Sequence, residues 1–249
     1  MRHRTSGDSP NYSFKPSVKA LGLFAVVFPL FIALGFWQLQ RADEKNAMNA
    51  LRDARSQERS IALKDIVTDD IEAFRFHPVL GEGQYDNAHQ FLLDNQLEGQ
   101  AVGYHVLTPF RLSGTDRAVL VNRGWLPQGA SRQVLPDIHQ LPEGVTRVTG
   151  LVDRFHRVGF HLEGADIPTA GWPAVVQVPD ADKIGERLGY PVLPYQVLLD
   201  PAAEGGYSRF WHSVRLDPGK NQGYALQWFL FAALAAFFFV RHGIQSDVG

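Results

Sequence analysis

Three short stretches hold the side chains best suited to recognition chemistry. In Val119–Pro127, VLVNRGWLP, a β-type apolar run leads straight into Asn122, Arg123, Gly124 and Trp125. Arg123 offers a planar fork suited to a carboxylate, Trp125 a broad stacking face, and Gly124 a point where the backbone can bend or a large group approach. A propionate-bearing ligand would suit this set. A strand end with a buried Trp and a salt-bridged Arg accounts for the same residues. The second stretch holds Trp37, Gln38 and Arg41, with Trp37 and Arg41 four apart on one helical face. The third holds Tyr224, Gln227 and Trp228, spaced i, i+3, i+4, which places a phenol, an amide and an indole together.

Other chemistries lack their residues. There is no nucleophile elbow, phosphate loop, HExxH pair or EF-hand loop. The chain has no cysteine, which removes disulfides, thiolate metal sites, a cysteine nucleophile and covalent c-type haem attachment. The histidines, His3, His77, His89, His105, His139, His156, His161, His212 and His242, are scattered rather than arranged as a metal centre, and Asp69–Asp70 reads as a turn. A net charge of −2 with no basic stripe gives no nucleic-acid signature.

Two apolar runs carry the second and third stretches. Ala20–Leu39 and the run from Gln222 to Val240 are each about one bilayer long, taking 1.5 Å per residue and a ~30 Å hydrocarbon core. Pro29 lies inside the first, where a membrane helix tolerates it. That run is too long for a signal-peptide core and has no cleavage site after it, so it reads as an uncleaved anchor. Arg2, Arg4, Lys15 and Lys19 precede it and Arg241 follows the second run. The positive-inside rule then makes residues 1–19 and 241–249 cytoplasmic tails, the first read as disordered, and places residues 40–221 outside. In this topology both polar-aromatic ends lie at the same depth on the same side, where they either meet or stand as two independent aromatic belts. Gln227 needs a polar partner in hydrocarbon. Small residues such as Ala232 and Ala236 would let the first helix supply it. The segment 42–59 reads as a helical continuation with a solvated charged face.

Between the spans the texture changes to short runs of period two bounded by turn residues: Pro78–Tyr85, Gln90–Asp94, Tyr104–Leu112, Ala118–Arg123, Val145–Asp153, Ala174–Val178 and Val192–Leu199. One helix interrupts them at Asp180–Leu188, capped by Asp180 and stopped by Gly189. The fold class is α+β, with two transmembrane helices flanking an extracytoplasmic, mainly antiparallel sheet or barrel.

GFWQLQR at 35–41 with Lys45 four residues on, GYHVLTPFRL at 103–112, VLVNRGWLP at 119–127 and GYALQWF at 223–229 occur in this order between near-terminal spans. The chain thereby resembles the Surfeit locus protein 1 family, assembly factors for haem-copper cytochrome c oxidase, over nearly all of its length beyond the first tail. The resemblance implies a non-enzymatic, chaperone-like protein of the bacterial inner (plasma) membrane that serves respiratory-chain biogenesis. Its partners would be oxidase subunit I, haem a synthase and the lipid bilayer, and its main domain would be periplasmic. Matching the family's motif positions are Trp37, Gln38, Arg41, Arg123, Gly124, Trp125, Tyr224, Gln227 and Trp228. The resemblance implies that the membrane-end residues dock subunit I or the edge of haem a, with Arg123 and Trp125 acting from the β domain. Haem-binding bacterial members carry a histidine just before the GYA of the second span. Here Asn221 stands in that place, and neither Asn221 nor Gln222 is a usual axial haem ligand. The other reading is a membrane-anchored chaperone or binding module for an envelope complex that never touches haem.

Overall fold

The computed structural model describes residues 11–66, 70–129, 134–155, 163–209, 211 and 216–247. His3, His156, His161, His212, Asp69 and the basic residues Arg2 and Arg4 lie outside them. In chain order the elements are β1 (Asn11–Phe14), α1 (Val18–Arg55), β2 (Ile61–Ala62), β3 (Pro78–Tyr85), β4 (Phe91–Glu98), β5 (Ala101–Leu112), β6 (Ala118–Pro127), β7 (Thr146–Arg154), β8 (Ala174–Val176), α2 (Ala181–Leu188), β9 (Val192–Leu199), α3 (Gly219–Gly243) and β10 (Ile244–Asp247). The chain divides into two compact units. One holds the residues up to Asn49 together with those from Leu216, and the other holds Ala50–Arg215.

The first unit is a pair of antiparallel helices. Both α1 and α3 are long and apolar enough to cross a membrane. Large apolar side chains such as Leu23, Val26, Phe36, Leu226 and Phe237 are exposed on them, as suits helices that face lipid or other helices. Among the buried and half-buried positions on α1, Phe24, Phe28, Phe31, Gly35, Gln38, Ala42, Lys45 and Asn49 form a row of repeated 4-3 spacing. On α3 the matching row is Asn221, Ala225, Trp228, Ala232, Ala235 and Phe239. A period of 3.5 keeps one seam facing the partner along the whole contact, as in an antiparallel coiled coil. Phe24 stacks on Phe239 with ring centroids 4.2 Å apart, and Phe31 meets Trp228 at 5.7 Å. Gly35 is required where it stands: a Cβ there would lie 2.5 Å from the Phe229 ring. Ala42 and Ala225 are buried along the same seam; of the two alanines expected to allow close approach, Ala232 is buried on it and Ala236 is half-buried beside it.

The first tail differs from its reading as wholly disordered. Residues 11–14 form β1, which pairs antiparallel with β10 just beyond the end of α3. Backbone pairing can recruit a polar segment that composition alone reads as tail.

The second unit is a sheet that closes on itself. Strand β3 pairs with β7, β7 with β9, β9 with β6, β6 with β5, and β5 with β3. The long β5 divides one of its sides, giving residues 101–107 to β4 and residues 110–112 to β3. Strands β2 and β8 add parallel to β3 and β4. The sheet is mainly antiparallel, as expected, with three parallel pairings among the antiparallel ones: β2–β3, β4–β8 and β6–β9. Parallel neighbours need a crossover connection, and α2 supplies the one into β9. Asp180 accepts from the Lys183 N–H at the start of α2, and Gly189 ends it in the left-handed conformation. The core lies inside the closure, where Phe110, Val119, Val121, Val152, Tyr195 and Val197 are fully buried. A second apolar cluster of Phe91, Leu107, Leu120, Ala174 and Ile184 packs between the sheet and α2.

Candidate docking site on the helix pair

Past the apolar part of the seam, the same 4-3 row carries polar residues. Asn221 donates from Nδ2 to Gln38 Oε1 at 2.7 Å, and its Oδ1 accepts from Lys45 Nζ at 2.7 Å. Lys45 also donates to the Asp217 carbonyl at 2.9 Å, which satisfies an acceptor beside the start of α3. One turn further, Asn49 exchanges two hydrogen bonds with the Leu216 backbone, both 2.9 Å. The result is a ladder in which Asn221 and Asn49 each use their donor and their acceptor at once, fixing the register of the two helices. The reading of residues 42–59 as a solvated charged face is corrected here. Lys45 and Asn49 lie on the seam, and in the other unit Arg55 donates to the Glu72 and Arg75 carbonyls while Arg52 stacks on Phe76.

The sequence-predicted residues of this unit fall into two groups. Gln38 and Trp228 are on the seam, Gln38 against Asn221 and Trp228 against Phe31 and Phe231. Trp37, Arg41, Tyr224 and Gln227 face outward. Trp37 is 49% exposed and Tyr224 54%. Arg41 pairs with Glu44 at 2.8 Å and sits 5.9 Å from the Trp37 ring centre, so its side chain is held along the helix by a short ion pair and a cation–π contact. The polar-aromatic ends therefore meet through Gln38, Asn221 and Lys45, with a rim of exposed Trp37, Arg41 and Tyr224 on the helices that carry them. The expectation that α1 partners Gln227 is not met: the seam turns Gln227 away from α1.

In the β unit, Arg123 is wholly buried. Its Nε donates to the Gly205 carbonyl, Nη1 to Gln90 Oε1 and Nη2 to the His139 carbonyl, each 2.8 Å, and its Cζ lies 5.1 Å from the Tyr207 ring centre. Among the described residues no carboxylate pairs with it, so neither the exposed carboxylate fork nor a salt bridge describes this residue. The cation binds carbonyl oxygens of two loops and holds them to the barrel wall. Burial lowers its pKa, with Tyr207 and Tyr85 opposing, and burial pushes the Tyr85 phenol up to about 12. The group that approaches Gly124 is the chain itself. Tyr207 donates its N–H to the Arg123 carbonyl, and Ser208 pairs with Trp125. A Cβ on Gly124, whose φ is +115°, would lie 2.5 Å from the Ser208 oxygen. Trp125 lies over Gly103 and donates from Nε1 to the Gln96 carbonyl at 3.1 Å. Arg123, Gly124 and Trp125 thus form a clamp inside the β unit.

Sequence reasoning passed over Lys45, Asn49, Gln90, His139 and Tyr207 as contributors. The 4-3 row from Phe24 to Asn49 was a usable signal for the first two. The partners of Arg123, Gln90, His139 and the 205–207 stretch, come from three separate segments and leave no local pattern.

Asn221 occupies the position where the resemblance would place a haem-binding histidine. Its carboxamide is engaged at both ends, a carboxamide is not a usual axial ligand, and neither residues 18–55 nor residues 216–241 contain a histidine. This end of the helix pair does not fit axial haem ligation. Among the described residues there is no group of three or more His, Cys, Asp or Glu that could hold a metal ion.

Residues 25–233 match the SURF1 family. Curated relatives include a SURF1-like protein from Caenorhabditis briggsae, 28% identical over 45% of this chain and 40% of the relative. Another, from Rickettsia conorii, is 32% identical over 41% of this chain and 42% of the relative. The cytochrome oxidase assembly protein SHY1 of Saccharomyces cerevisiae is 27% identical over 55% of this chain and 36% of its own length. The chain thus spans about two fifths of the length of these relatives. With the family match running from inside α1 to inside α3, across the whole β unit, the chain belongs to the SURF1 family.

Proposed function

We propose that this protein is an assembly factor for cytochrome oxidase that docks subunit I while its haem a is put in place, and that it works by holding polypeptide rather than by catalysis. In this reading it is a two-span protein of the bacterial inner membrane with both termini cytoplasmic and the β unit periplasmic, close to haem a synthase. The observation that carries the proposal is the outer rim of Trp37, Arg41 and Tyr224 on a helix pair whose register is locked by Gln38, Asn221 and Lys45. Exposed aromatic and arginine side chains on a rigid support are the usual anchors of protein recognition. Family membership and the name of the yeast relative support the oxidase as the client. Asn221, engaged at both ends, favours a factor without an iron ligand of its own. Contact with haem a, where it occurs, is transient and unligated.

The test is a strain lacking this gene, complemented with the wild type, with Tyr224→Ala or with Asn221→His, and assayed for membrane haem a and assembled oxidase. The deletion should lose assembled oxidase and the wild type should restore it. Tyr224→Ala should restore it poorly while the protein accumulates normally. Asn221→His should not gain a Soret band. An intact oxidase in the deletion would defeat the proposal, and a haem-loaded Asn221→His protein would show a ligand-ready pocket instead of a docking end.

A further inference from the structure

Between Ala20 and Phe36 on α1, and between Ala225 and Val240 on α3, one side chain carries an amide, a hydroxyl or a charge: Gln227. It lies six residues past Asn221, about 9 Å further along the helix, so it is beyond the reach of the interhelical ladder. At this depth the seam is filled by Phe31, Gly35, Trp228 and Phe229. Gln227 is exposed on the opposite side, among exposed Leu226, Leu230, Phe231 and Leu234, and no described residue hydrogen-bonds its side chain. A primary amide has two donors and an acceptor, and leaving these unmet in hydrocarbon is costly.

We infer that Gln227 is the hydrogen-bonding contact for a membrane-spanning helix of the protein under assembly, one that presents a hydroxyl, an amide or an open backbone carbonyl at this depth. The inference rests on the assembly role proposed above and extends its docking surface from the aromatic rim into the hydrocarbon layer. The chemistry of the face selects this occupant. A lipid tail offers no donor or acceptor. A second copy of the chain would bring the same bulky Leu and Phe side chains against their own images, where close symmetric packing asks for small residues. A different helix with a small polar residue can let the amide in and answer it.

The experiment uses the full chain in native membranes. A photo-crosslinking amino acid is placed at position 227, with position 23 as the control. In parallel, Gln227→Leu and Gln227→Asn complement the deletion strain. The crosslink at 227 should carry a membrane-spanning peptide of the oxidase, absent from the control. Gln227→Leu should weaken co-purification of that partner about threefold to thirtyfold, the range of one interhelical hydrogen bond, while Gln227→Asn retains most of it. A crosslink to a second copy, or to lipid alone, overturns the inference. So does full oxidase assembly with Gln227→Leu in a strain where the deletion abolishes assembly. If the deletion itself leaves the oxidase intact, the assembly role fails, which is a separate result.

Discussion

Replacing Arg123 with lysine keeps a positive charge but removes the fork that reaches Gly205, Gln90 and His139 together. An ammonium on a flexible stem cannot span all three acceptors, so at least one buried carbonyl loses its partner, while Gln90 Oε1 keeps the bond it accepts from Thr108. A loss of about 2–4 kcal/mol is expected for Arg123→Lys, read as a fall in the denaturant midpoint of the full-length protein. A variant as stable as the wild type would mean that the loops are held by their backbone bonds alone. This residue also marks a limit of the sequence. The local string VNRGW announces an arginine with an unusual task. The carbonyls that define the task come from residues 139 and 205, which nothing in the string connects to it.

At the scale of elements the sequence was more legible. The limits of β3 and β9 follow from period-two runs, and those of α2 from its cap and its terminal glycine, because these are local effects of side-chain alternation and backbone conformation. The parallel pairings and the sheet closure were hidden, since strand partners are set by long-range packing. The docking end was half legible. The spacing of Tyr224, Gln227 and Trp228 put them near one face, but only the 4-3 row decides which of them looks inward. Gly35 is the pivot of that row. Gly35→Ile drives a branched side chain into the Phe229 ring and should weaken the helix pair by about 1–3 kcal/mol. Gly22→Ile, with nothing within 4 Å of its Cβ, should be nearly neutral. Thermal midpoints of both variants in one detergent would check this. Equal midpoints would remove Gly35 from the close contact.

At the scale of the whole molecule, stability should depend on pH through His105. Its imidazole lies near Asn122 and the Trp211 ring, and burial lowers its pKa from 6.5 to about 4. The unfolded chain takes up a proton near pH 6.5 that the folded chain refuses. The contribution is therefore complete above pH 6.5 and is lost as the pH falls towards 4, by about 3 kcal/mol over that window. Unfolding of wild type and His105→Gln between pH 7.5 and 4.5 tests it: the wild type should fall more steeply, and parallel slopes would assign the acid sensitivity to other groups.

Closure of the sheet also governs what the β unit can bind. Among the described residues the strands at the two borders of the sheet are β2, two residues long, and β8, three residues long. Borders this short offer only a short row of N–H and C=O groups for another chain to extend, lengthened on one side by the part of β4 past Leu93 that β8 does not reach. In the assembly role proposed above, a unit with so little sheet edge meets its client mainly through side chains rather than by strand addition.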